Sequence, residues 1–85
     1  MNESQQYKTY TAGLIIIGNE ILSGRTHDTN TPWLAEKLVG MGIRLVEVRV
    51  VPDVAEEIIS AVNTLRKKVD YLFTTGGIGP THDDI

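Results

Sequence analysis

Ala12-Gly13-Leu14-Ile15-Ile16-Ile17-Gly18 is the stretch that decides the fold of this chain. Its apolar residues run without interruption from Ala12 to Ile17, and three consecutive isoleucines close it. A continuous run of that length, rich in β-branched side chains, suits a strand covered on both faces, as in a parallel sheet. Gly18 ends it. Two more apolar stretches read as strands. Ile43 to Val51 admits Glu47 and Arg49, so one face is less protected and the strand lies nearer a sheet edge. Val69 to Thr75 is the third.

Helical patterns separate the strands. Thr31-Pro32 predicts a helix start, with Thr31 as N-cap and Pro32 at the first helical position. Leu34, Leu38 and Met41 follow near helical spacing, and Gly40 and Gly42 offer a left-handed stop. After Pro52, the pair Asp53 and Glu56 has the form of a capping box with Asp in place of Ser or Thr. Ile58, Ile59, Val62 and Leu65 then make an amphipathic stripe, and Arg66, Lys67 and Lys68 sit at the helix end that favours cations. The order is β-α-β-α-β. Helical connections between strands imply a parallel sheet with right-handed crossovers. Gly18, Pro52-Asp53 and Gly76-Gly77 then share one carboxyl edge, where open α/β sheets bind ligands. Glu20, Asp28, Asp53, Asp83 and Asp84 are therefore expected along one rim.

The totals exclude several classes. Eighty-five residues allow one small domain, with 41% hydrophobic and 22% charged residues. The net charge of −3 gives no general attraction to nucleic acid or to an anionic membrane. No apolar run approaches the roughly 18–20 residues that span a bilayer. The polar stretch 1–10 reads as a flexible leader and lacks the order of a signal peptide, so a cytoplasmic location is the expectation. With no cysteine, disulfide and thiolate chemistry are absent.

The chemistry concentrates in two loops. Residues 18–30 form a long polar connection carrying Glu20, Arg25, His27, Asp28 and Asn30. Glu20 and Asp28 are either solvated or part of a site. Arg25 is either exposed or a partner for phosphate. Trp33 is read as packing on the sheet, with ring stacking on a ligand as the alternative. Neither His27 nor His82 sits in a zinc-ligand spacing, and nothing marks Ser23 as an activated nucleophile. Asp53 is either an N-cap alone or a cap that also faces a ligand.

The second loop is Gly76-Gly77-Ile78-Gly79-Pro80-Thr81-His82-Asp83-Asp84. It is either a tight turn or a phosphate site, since glycines admit close backbone approach and successive N–H groups attract anions. It is neither a P-loop nor G-x-G-x-x-G. The paired acids suggest a divalent ion bridging carboxylate and phosphate oxygens.

Thr74-Thr75-Gly76-Gly77-Ile78-Gly79-Pro80-Thr81-His82-Asp83-Asp84 resembles the signature of the molybdopterin-binding (MoaB/Mog-like) domain family. Gly18-Asn19-Glu20-Ile21-Leu22-Ser23-Gly24 with Asp28-Thr29-Asn30 is similar to the opening of its competence/damage-inducible protein A (CinA) branch, and Val51-Pro52-Asp53 fits the family's second acidic position. The resemblance runs from about residue 12 to residue 85. It implies a three-layer α/β/α domain with a mainly parallel sheet, of which residues 11–85 would be the N-terminal part, incomplete at the C-terminus.

The resemblance also implies a ligand. The family binds a pterin dithiolene such as molybdopterin, or its adenylated form, in molybdenum cofactor biosynthesis. Asp53 and Asp84 would be the catalytic aspartates. Gly76, Gly77 and Gly79 would line the phosphate, with Thr75, Thr81, Glu20, Asp28 and Asn30 around it. The CinA branch implies instead a metal-dependent pyrophosphatase acting on ADP-ribose-like dinucleotides, with a divalent ion such as magnesium at Asp83 and Asp84. A third expectation is an inactive fragment serving only in assembly. The expected partners are a pterin or nucleotide small molecule and further copies of the chain, as a dimer or trimer, and neither nucleic acid nor membrane.

Overall fold

The structure is a computed structural model and describes residues 9–76. Strand β1 spans Tyr10–Ile17, β2 Ile43–Val51 and β3 Tyr71–Thr75. The helices are α1 Asn19–Leu22, α2 Asn30–Val39 and α3 Ala55–Leu65. The sheet has the order β2-β1-β3 and both pairings are parallel. The α/β architecture read from the apolar runs is therefore the one found. β1 is central, which is why it is the one strand that needs apolar side chains on both faces. Leu14, Ile15, Ile16 and Ile17 are all buried.

The two faces of β1 serve different helices. Ile15 and Ile17 join Val51, Ala61 and Leu65 in one core cluster, with Ile58, Val62 and Leu72 packed against it. That cluster is the apolar stripe of α3 on the sheet. Leu14 and Ile16 point to the opposite face, where right-handed crossovers put α2 and its buried Leu38. β2 is an edge strand, as its charges suggested. Ala12 pairs with Leu45 and Gly13 with Glu47, so Val46 is an extra residue in β2 and the strand bulges there.

At the amino edge, Thr11 and Asp70 lock β1 to the start of β3. The Thr11 N–H donates to Asp70 Oδ2 at 2.8 Å, and the Asp70 N–H donates to the Thr11 carbonyl at 3.0 Å. β3 begins at Tyr71 rather than Val69, whose N–H is still bonded to the Leu65 carbonyl at 3.2 Å. β1 begins at Tyr10, which takes the last residue of the expected leader into the sheet. Glu47 receives Lys68 Nζ at 2.7 Å and Arg49 Nε at 2.8 Å. These two cations, Lys68 foremost, hold its carboxyl below the usual range. Lys68 is thus engaged by β2 and not by the end of α3.

Two helix starts differ from the sequence reading. α2 begins at Asn30, ahead of the expected Thr31 cap. Asp28 does the capping. Its Oδ1 accepts the N–H groups of Asn30 at 2.9 Å and Thr31 at 3.2 Å, and the Thr31 hydroxyl donates to Oδ2. The Thr31 hydroxyl above all, with those two N–H groups, holds the Asp28 carboxyl below its ordinary value against a partial burial that pushes it up. The Asp53–Glu56 capping box does not form. Val54 occupies the cap position of α3 and no side chain caps it.

Candidate functional site

The carboxyl ends of the three strands converge. β1 passes through Gly18 into α1, whose turn the long-loop reading missed. α1 is short because Gly24 takes φ +83° and stops it. The Arg25 and Thr26 N–H groups then fold back on the Glu20 carbonyl at 3.0 and 3.2 Å. The Glu20 carboxylate lies over Gly18, with Oε2 only 2.8 Å from where a Cβ on that glycine would stand. The glycine thus makes room for the acid.

β1 and β2 are stitched together just past their ends. The Gly18 N–H donates to the Val51 carbonyl at 3.0 Å, and the Asp53 N–H donates to Asn19 Oδ1 at 3.3 Å. The Val54 N–H closes back on the Pro52 carbonyl at 2.8 Å, a three-residue turn with Asp53 at its apex. The Asp53 carboxylate is exposed and makes no hydrogen bond or ion pair among the described residues. Losing the capping role leaves this acid free.

β3 ends in the tightest contact of the rim. Gly76 has φ +74°, and a Cβ there would meet the Ile17 carbonyl oxygen at 2.6 Å. Only glycine satisfies both demands. The adjacent Thr75 hydroxyl is buried and has no hydrogen-bond partner among the described residues. In the order β2-β1-β3 the chain leaves β1 toward β2, so the crevice between β1 and β3 is the switch point at which such sheets bind ligands.

Glu20, Asp53, Thr75 and Gly76 therefore lie along one edge, as expected, at the ends of strands paired from Ile16 to Thr75 and from Ile17 to Val51. Asp28 and Asn30 stand apart from them in role: the first caps α2 and the second is its first residue. Arg25 donates to Ser23 Oγ at 3.2 Å. Trp33 is not packed on the sheet. The residue is 59% exposed, with Lys37 Nζ 5.7 Å from the ring centroid. Gly77, Gly79, Thr81, His82, Asp83 and Asp84 lie outside the described residues. Among the described residues no group of three or more His, Asp or Glu could hold a metal ion, so that expectation rests on Asp83 and Asp84. None of the described helices is long and apolar enough to cross a membrane.

Asn19 and Asn30 read from the sequence as residues whose side chains can fix loop turns, and Asn19 does so on the Asp53 turn. The partner it takes lies 34 positions away, which a local reading does not reach.

Comparison with known proteins gives a consistent set of relatives. Residues 13–85 match the family model described as the "Probable molybdopterin binding domain". A CinA protein of unknown function from Thermoplasma acidophilum superposes with a TM-score of 0.80 at 37% identity, over 89% of this chain and 45% of its own. The tungsten cofactor synthesizing protein MoaB from Pyrococcus furiosus superposes with a TM-score of 0.67 at 27% identity, over 93% of this chain and 52% of its own. A probable FAD synthase of Caenorhabditis briggsae is 43% identical over 74 residues, which is 87% of this chain and 14% of that protein. The chain spans only 14% to 29% of the length of curated relatives such as this one.

Proposed function

The chain belongs to the molybdopterin-binding domain family, and from that premise we propose that its carboxyl rim binds a phosphorylated ring compound, a molybdopterin-type pterin, for a step of molybdenum cofactor biosynthesis. The observation that carries this reading is the orphaned Thr75 hydroxyl beside Gly76, whose backbone admits no Cβ. A hydroxyl with no partner among the described residues, at the carboxyl end of a strand and next to glycine backbone, is a donor that a phosphate oxygen can use. The Asp53 carboxylate would repel a bare phosphate, so its place is beside a hydroxyl, an amino group or a cation of the same ligand. One relative is named for tungsten cofactor synthesis and another as a probable FAD synthase, so both names point to the making of a cofactor.

One observation favours a second reading. The Glu20 turn, with its carboxylate folded over Gly18, belongs to the block that resembles the CinA branch. That branch implies hydrolysis of an ADP-ribose-like diphosphate. Asp83 and Asp84 would then hold a divalent ion such as magnesium, which would supply positive charge to the diphosphate. Binding as a dimer or trimer belongs to the same set of expectations.

Titration of the full-length protein with molybdopterin tests the first reading. Binding that weakens in Asp53→Ala and Thr75→Val supports it, and no binding above background removes it. Incubation with ADP-ribose and magnesium tests the second. Release of AMP that disappears in Asp84→Asn supports hydrolysis, and no turnover with any divalent metal ends that reading.

A further inference from the structure

Among the described residues, the one side chain that bonds the backbone of Asp53 from outside its own loop is Asn19. We propose that Asn19 is a positioning residue, which holds the Asp53 turn so that its carboxylate is presented to the ligand. The proposal rests on the rim being the binding site. Three bonds define the corner: Gly18 N–H to the Val51 carbonyl at 3.0 Å, Val54 N–H to the Pro52 carbonyl at 2.8 Å, and Asp53 N–H to Asn19 Oδ1 at 3.3 Å. The first two are backbone bonds that neighbouring residues make whatever their side chains. Only the third depends on a side chain, and it reaches the apex of the turn.

The corner needs that support. No side chain caps α3, so nothing on the helix side holds Asp53 in place. Asp53 is exposed and makes no other hydrogen bond or ion pair among the described residues. Asn19 is itself anchored, because its carbonyl accepts the Ser23 N–H at 2.9 Å within α1. The amide thus transmits the position of the β1 end to the acid at the β2 end.

The test is a double-mutant cycle in the full-length protein, read as affinity for molybdopterin or, for the hydrolase reading, as kcat/KM on ADP-ribose with magnesium. Asn19→Ala is expected to lower the readout about 10-fold, because small misplacements of a binding group are amplified in the complex. In an Asp53→Ala background the same change is expected to have no further effect. Asn19→Asp keeps an acceptor oxygen at the same place. It is expected to hold the Asp53 amide resonance at its wild-type position, while Asn19→Ala moves it. Equal losses from Asn19→Ala in both backgrounds, or no loss while Asp53→Ala is impaired, would overturn the positioning role and leave the rim reading intact. An Asp53→Ala protein with unchanged affinity and turnover would overturn both.

Discussion

Replacing Gly76 by alanine separates two effects that usually arrive together. Its φ of +74° is one that an L-residue adopts at a cost of about 1–2 kcal/mol. Against that, alanine restricts the unfolded chain and returns roughly 0.4–1 kcal/mol. A change of dihedral alone therefore costs between about 0 and 1.6 kcal/mol. Gly24 and Gly42 measure that term directly, since their φ values are +83° and +78° and an added Cβ meets nothing within 4 Å. Gly76 differs only in what the Cβ would touch, the Ile17 carbonyl oxygen at 2.6 Å. That oxygen belongs to the central strand and cannot swing aside as a side chain would. Overpacking of this kind adds about 1–3 kcal/mol. Gly76→Ala should thus lose about 1–4.5 kcal/mol, a large share of the stability of an ordinary domain. In thermal unfolding the excess over Gly24→Ala corresponds to roughly 5–20 °C. Urea denaturation followed by circular dichroism, with equal slopes in all variants, gives the comparison. If Gly76→Ala lost no more than Gly24→Ala and Gly42→Ala, the close approach of β3 to β1 would not exist as described.

Other consequences are open to measurement. Thr75→Val removes a buried hydroxyl without a partner among the described residues, so the fold should be as stable or more stable, by up to roughly 1–3 kcal/mol, while ligand affinity falls; a destabilised protein would mean the hydroxyl is bonded. Asp28→Ala should lower stability by about 1 kcal/mol through loss of the α2 cap, seen as a reduced urea midpoint. The folded-state value of Asp28 is depressed, so its contribution is present above the unfolded value of about 4. It is lost as pH falls through the lower folded value, and the gap between wild type and Asp28→Ala should close only below about pH 4.

Much of the fold was legible because β1 is a continuous apolar run in the middle of a sheet. A short run with three β-branched residues in succession fits a strand covered on both faces far better than an exposed strand or a surface helix. Glu47 and Arg49 in turn marked β2 as the edge. The misses are local events that depend on distant partners. Asp53 and Glu56 have capping-box spacing, but the turn through Pro52, Asp53 and Val54 delays α3 to Ala55 and puts Val54 at the cap. α1 has two apolar residues, Ile21 and Leu22, and is too short for a helical period to register. The site was legible as a rim because parallel topology fixes which strand ends meet. The contact of Gly76 with Ile17 and the bond from Asp53 to Asn19 were not, since both join residues far apart in the chain.

The central claim is that the three strand ends form one phosphate-binding rim. Amide chemical-shift mapping of the isotope-labelled protein on addition of molybdopterin, and separately of ADP-ribose with magnesium, tests it most directly. The account predicts that at least one of the two moves the resonances of Gly18, Asn19, Asp53, Thr75 and Gly76 together. Thr11 and Asp70, at the opposite edge of the sheet, should stay still. Shifts at the Thr11–Asp70 edge without the others, or none with either ligand, would contradict it.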